Sequence, residues 1–199
     1  MDLSKEYVLE NDCVLLRPLQ SSDCGNLQHF AITEPEIWQY SLMPINSPES
    51  LSHYIEQALE ERKAGKSYPF VVIDKPSGNY AGATRFYDIQ PAFKTLQLGY
   101  TWYGKAYQGT GLNKHCKFLL LQFAFETLEM ERVEFRADNQ NAKSIAAMKS
   151  IGCTVEGVLR SHMPNQTGGR RNSIVLSILK EEWVSHVKTN LAAKLTPAI

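Results

Sequence analysis

Residues 99–113, Gly-Tyr-Thr-Trp-Tyr-Gly-Lys-Ala-Tyr-Gln-Gly-Thr-Gly-Leu-Asn, constrain the fold of this chain more than any other stretch. An apolar, aromatic run with the character of a strand breaks at Gly109-Thr110-Gly111, and a helical pattern begins at once. Leu112, Cys116, Leu119, Leu120 and Phe123 share one face of that helix, while Asn113, Lys114, Lys117 and Gln122 share another. A second strand pattern follows at residues 132–138. Two strands joined through a helix lie parallel in their sheet. Glycines at the strand-to-helix junction let backbone approach a ligand closely, and the first helical turn offers unpaired N–H groups to a phosphate. The junction therefore suits a phosphorylated small molecule held by main chain.

Around this unit the pattern is mixed. Residues 13–19 read as an opening strand closed by Pro18, and Ser21-Ser22-Asp23 cap a short helix running to about Ala31. Residues 33–48 are irregular and carry Trp38, Tyr40 and Met43. A second helix starts at Ser47-Pro48-Glu49 and stops near Gly65, with Leu51, Ile55, Ala58 and Leu59 as its buried stripe. Residues 68–74, 80–89 and 95–103 read as strands joined by short turns, hence antiparallel. The helix after the glycine turn extends to about Leu128, and another spans residues 142–151 and stops at Gly152. Residues 155–162 and 172–179 pair across Gly168-Gly169. The expected architecture is α+β in one domain over residues 1–199, with a core of about 12–183 and a terminal helix or tail at 184–199.

Composition narrows the partners. Lys and Arg together number 21, as do Asp and Glu, and this balance argues against a nucleic-acid binder, which needs clustered positive charge. No run approaches the ~20 apolar residues of a membrane span. Met1-Asp2-Leu3-Ser4-Lys5-Glu6 lacks the layout of a secretory signal. Cys13, Cys24, Cys116 and Cys153 are scattered, which favours free thiols in a reducing cytoplasm, and no histidine pair has metal-ligand spacing. Residues 155–179 form a hairpin that offers an edge to a neighbour, so both monomer and homodimer stay open.

A lone Gly-x-Gly is common at structural turns. The one here is followed by neither a P-loop Gly-Lys-Ser/Thr nor, with Lys114 in its place, the third glycine of a dinucleotide fingerprint. A second constellation sits at the next strand-to-helix junction, Asn139-Gln140-Asn141-Ala142-Lys143-Ser144, where Asn141 and Ser144 fall on one face of the first turn. Helix capping alone would account for Asn139 or Asn141.

Taken in order, the antiparallel strands, the Gln108-to-Asn113 turn into a helix, the parallel strand, and Asn-x-x-Ser before Ile151-Gly152 resemble the GNAT superfamily of acyl-CoA-dependent N-acetyltransferases. Gly99-Tyr100-Thr101-Trp102, residues 109–113 and Glu156-Gly157-Val158-Leu159-Arg160 are most similar to its ribosomal-protein N-terminal acetyltransferase branch, over about residues 14–183. The resemblance implies a mostly antiparallel mixed sheet whose two central strands splay apart. It implies acetyl-CoA as cofactor, its pantetheine arm along Trp102 and Tyr103, and its pyrophosphate over Gln108, Gly109, Thr110, Gly111, Leu112 and Asn113. It further implies that Asn141 holds the arm, that Ser144 faces the sulfur, and that Lys105, Lys114 or Lys143 meets the adenosine phosphate.

The implied activity is acetyl transfer to a primary amine, either a protein N-terminus or a small molecule, by direct attack. Such a site must take a proton from the amine, hold a developing oxyanion and protonate a departing thiolate. Ser144 is the candidate for the last task, and Tyr100 and Gln97 flank the reacting centre. The resembled branch carries a Glu where this chain has Gln97, and glutamine takes no proton at neutral pH. An α-amine of pKa ~8 needs less help than a lysine, and Glu134 or His162 could substitute as base. A catalytically weak acyl-CoA sensor is the alternative. Residues 33–48 form one wall for the acceptor, where Trp38 packs a side chain or closes the core. Arg85 is placed either to orient an acceptor carboxylate or to form a plain surface salt bridge, with Glu34, Glu36 and Asp88 as further candidate polar contacts.

Overall fold

In the computed structural model, which describes residues 2–195, strand β3 (Ser67–Asp74) organises the amino-terminal half. Its Tyr-Pro-Phe-Val-Val-Ile run is apolar on both faces, as a strand covered on both sides requires. It is flanked by β2 (Val14–Pro18), which also pairs with the short β1 (Leu9–Glu10), and by β4 (Asn79–Gln90). Beyond β4 lie β5 (Thr95–Tyr103), β6 (Arg132–Asp138), β8 (Arg170–Leu179) and β7 (Thr154–Pro164), giving the order β1-β2-β3-β4-β5-β6-β8-β7. Every neighbouring pair is antiparallel except β5–β6, which is parallel.

Helices cover both faces. α1 (Cys24–Thr33) and α2 (Pro48–Lys63) pack Leu27, Phe30, Leu51 and Ile55 against Val71, Ala83 and Trp102. Ser47 caps α2 by accepting from the Ser50 amide, and Pro48 occupies its first turn. On the other face, α3 (Leu112–Gln122) and α4 (Ala142–Ser150) pack Leu112, Cys116, Leu120 and Met148 against Phe86, Leu98, Val133 and Phe135. β6 alternates strictly, with Val133, Phe135 and Ala137 turned to this core and Arg132, Glu134 and Arg136 turned to the α1–α2 side.

The splay expected between the central strands is present. β5 and β6 pair only over Thr95–Gln97 against Arg132–Glu134, and then separate. β5 also bulges. The β4–β5 register passes from Arg85 opposite Gly99 to Ala83 opposite Trp102, leaving Tyr100 and Thr101 against Thr84 alone. Tyr100 takes a left-handed backbone (φ 50°) to do so, an unusual conformation for a residue with a large side chain.

Some local expectations change. The helix after the glycine turn ends at Gln122, and one turn of π-helix (Phe123–Thr127) completes the segment. Lys117, expected on a polar face, is 5% exposed. The stop at Gly152 holds, at φ 103°, because a Cβ there would come within 2.9 Å of Val187. The carboxy-terminal residues form Lys180–Glu182, a π-turn Trp183–Val187 and Lys188–Ala192, with Trp183, Val187 and Leu191 buried in the α3-side core. The end of the expected tail, residues 196–199, lies outside the described residues.

Candidate active site

The gap that opens between β5 and β6 beyond Gln97 and Glu134 has a glycine turn at one end and the capped start of α4 beside it. The turn follows Tyr103, whose carbonyl accepts from the Gln108 side-chain amide at 2.9 Å. Gly109 (φ 80°) and Gly111 (φ 97°) both require the left-handed region, and Gly111 is the N-cap of α3. A Cβ on Gly109 would meet no atom within 4 Å, so the turn is not plugged by neighbouring side chains. Thr110 folds its hydroxyl back onto the Tyr107 carbonyl (2.9 Å) and accepts weakly from Leu112 N–H. Among the described residues, the N–H groups of Gly109, Gly111 and Asn113 have no main-chain acceptor. Unpaired amides at the positive end of a helix dipole suit a diphosphate, so the residues present fit the group that the resemblance implies.

At α4 the Asn141 side chain accepts from the Ser144 amide (3.0 Å), so its Oδ1 caps the helix and its Nδ2 is left to donate. Ser144 itself is half-buried. Of the lysines expected near an adenosine phosphate, Lys105 is ion-paired with Glu36, and its amide donates to Glu34. Lys114 and Lys143 have no ion pair among the described residues.

The α1–α2 side of the gap is polar and closely ordered. Gln97, 7% exposed, donates to Asp88 at 2.8 Å. Arg85 is 3% exposed, ion-paired to Glu61 of α2 at 2.9 Å, and stacked on the rings of Tyr100 (4.1 Å) and Tyr54 (5.1 Å). The expected carboxylate-orienting role thus meets an arginine already held by one carboxylate. Tyr100 lies edge-on to Tyr87 and keeps 40% of its surface exposed, while its partial burial pushes the phenol pKa upward. Trp38 is buried at 4% and packs on Trp102 with ring centroids 4.8 Å apart, closing the core under residues 33–48. That segment is tied to the β7–β8 hairpin by Gln166, which donates to the carbonyls of Trp38, Ser41 and Met43.

The two candidate bases differ. Glu134 is taken up on both oxygens, by Arg132 at 2.8 Å and Arg136 at 2.6 Å. His162 lies in β7, with Nδ1 paired to the buried Ser173 hydroxyl at 3.0 Å. Partial burial, followed by the positive charges of Arg136, Arg171 and Arg170, holds its pKa below the usual imidazole value, so the ring is neutral at pH 7. Two site features were not anticipated: the Gln97–Asp88 pair and Lys117. A signal for the second stands in the chain, since Lys117 is the lone charge in Cys116-Lys117-Phe118-Leu119-Leu120-Leu121.

A fold of this topology, splayed at a bulged central strand beside a glycine-lined helix start, defines an acyltransferase. The family model described as an acetyltransferase (GNAT) domain matches residues 14–154, and the chain belongs to this family. It is an acetyl-CoA-dependent N-acetyltransferase. The chain is similar to the Bacillus subtilis protein named "Putative ribosomal N-acetyltransferase YdaF", at 25% identity over 87% of this chain and 94% of the relative. It is also similar to spermidine N(1)-acetyltransferase of Escherichia coli, at 23% identity over 92% of this chain and 95% of the relative. Among solved structures, a GCN5-related N-acetyltransferase from Brucella melitensis superimposes with a TM-score of 0.88 at 25% identity, covering 97% of this chain and 87% of that one.

Proposed function

We propose that this enzyme acetylates an α-amine, such as a protein N-terminus, by direct attack within the β5–β6 gap. The observation that carries the reading is the separation of β5 from β6 after Gln97 and Glu134, with the glycine turn at its end and Asn141–Ser144 beside it. In this reading the amides of Gly109, Gly111 and Asn113 hold the diphosphate, the free β5 edge at Trp102 and Tyr103 pairs with the pantetheine arm, and Asn141 Nδ2 steadies it. The four cysteines form no disulfide among the described residues, in agreement with a reducing cytoplasm as its setting.

When bound, acetyl-CoA supplies the electrophilic carbonyl and a thiolate leaving group. Backbone N–H groups at the Tyr100–Thr101 bulge would stabilise the negative charge that develops on the carbonyl oxygen. The Ser144 hydroxyl would donate to the departing sulfur. Neutral His162 would take a proton from the acceptor's ammonium form through solvent, and the neutral amine so formed would attack. The α-amine is favoured because its pKa of ~8 leaves an appreciable neutral fraction at pH 7, whereas lysine at ~10.4 leaves almost none. The name of the Bacillus subtilis relative, a ribosomal N-acetyltransferase, agrees with this choice.

The test is thiol release from acetyl-CoA with a panel of N-terminal peptides, amino acids and polyamines. Release with the peptides supports the proposal, and release with polyamines alone overturns the acceptor class. Tight CoA binding with no release from any acceptor would favour a sensor, the reading that Gln97 invites.

A further inference from the structure

α3 carries a lysine where its neighbours Cys116, Leu120 and Leu121 are core residues. Lys117 is 5% exposed, and among the described residues it has no carboxylate partner. Its Nζ instead donates to two hydroxyls, Thr101 Oγ1 at 2.7 Å and Thr84 Oγ1 at 3.3 Å. The two threonines share a hydrogen bond of 2.7 Å, and both lie 3.4 Å from the Gly99 carbonyl. Thr84 is the residue that the bulge leaves facing Tyr100 and Thr101, so the cluster fills the bulge from the α3 side. A buried lysine paired only with hydroxyls is costly to keep, and a methionine would fill the same space at no such cost.

We infer that Lys117 is a positioning residue for acetyl transfer, clamping the Thr101–Thr84 pair and so holding the Tyr100–Thr101 amides at the gap in their working geometry. The inference rests on the reading that the β5–β6 gap holds the thioester. The ammonium also brings positive charge beneath the strand edge where negative charge develops during transfer. Burial holds the Lys117 pKa down at about 8. The titratable groups facing it are the thiols of Cys116, on its own helix, and Cys153, before β7; burial pushes both upward, Cys116 to about 12, so both stay neutral at pH 7. Tyr103 on β5 is likewise held neutral by burial. Of these groups, Lys117 is therefore the one whose charge changes around pH 8.

The test compares Lys117→Met, Thr101→Val and the double variant in the full chain, measuring CoA affinity by calorimetry and kcat from pH 6 to 10. Both single variants are expected to bind CoA within about threefold of the parent and to lose roughly tenfold in kcat, as for displaced reacting groups. The double variant should lose no more than either single one, because the two residues act as a unit. The parent should lose kcat as pH rises through about 8, and Lys117→Met should lack that inflection. Unchanged kcat in folded Lys117→Met, or persistence of the inflection, would overturn the inference. If that variant does not fold, Thr101→Val decides: a kcat equal to the parent's overturns it. Parent protein that binds no CoA contradicts the site reading itself, a result distinct from normal binding with unaffected kcat.

Discussion

Across the β4–β5 pair, Gln97 Nε2 donates to Asp88 Oδ2 at 2.8 Å while Gln97 Oε1 is buried with no partner among the described residues. The amide thus does what a carboxylate could not, since it satisfies a neighbouring anion. Replacing Gln97 by Glu would set two carboxylates side by side, and such a pair ionises fully only at a raised pKa.

Gln97→Glu is therefore expected to do more than restore a base. A carboxyl whose folded pKa is raised contributes stability at low pH that is lost as pH rises through that folded value. Thermal unfolding should show the variant close to the parent at pH 4 and below it at pH 8. Equal melting temperatures at both pH values would show that Asp88 moves away without cost.

His162→Gln tests the base. Loss of general base catalysis typically costs about 10²–10⁴-fold, and the lower end is expected for an α-amine that is already partly neutral. Because the folded His162 pKa is lowered, the acid limb of kcat/KM in the parent should fall below pH 6.5, and it should vanish in the variant. A limb above that value would assign it to another group.

Gly111→Val addresses the phosphate site. The residue has φ 97° and caps α3, so a branched side chain strains the turn and projects toward the amides. A loss of at least about tenfold in CoA affinity is expected, seen as loss of the thermal stabilisation that a ligand confers on the state it binds. A folded variant still stabilised by CoA would move the diphosphate elsewhere.

Much of this arrangement was legible before any coordinates. Leu112, Cys116 and Leu120 at helical spacing after Gly109-Thr110-Gly111 marked the crossover, and the strict alternation of Arg132 to Asp138 marked β6. The bulge was not legible, because nothing in Gly99-Tyr100-Thr101 apart from the glycine announces that Tyr100 will adopt a positive φ; the register of β4 decides it. Lys117 was assigned to a polar face because helical periodicity counts charge and cannot see the Thr84 and Thr101 hydroxyls that receive it. A salt bridge for Arg85 was one of two readings open from the sequence, but neither its partner Glu61 nor the pairing of Glu134 with Arg132 and Arg136 could be read there, because packing on one side of the sheet sets them.

Ser144 and Asn141 should separate on substitution. Ser144→Ala is expected to lower kcat with little change in CoA affinity, as for a group used mainly in the transition state. Asn141→Ala removes both a contact and the cap on the Ser144 amide, so it should weaken CoA binding and also cost about 1 kcal/mol of stability. Denaturant titration alongside CoA calorimetry checks both, and identical profiles for the two variants would reduce Ser144 to a binding contact.

The central claim is that peptide nitrogens after β5 hold coenzyme A, and amide chemical shifts read those nitrogens directly. On titrating isotope-labelled protein with CoA, the account predicts the largest shifts at Trp102, Tyr103, Gly109, Gly111 and Asn113, with saturation at one CoA per chain. Saturable binding that leaves these five amides unmoved, or no binding at all, would contradict it.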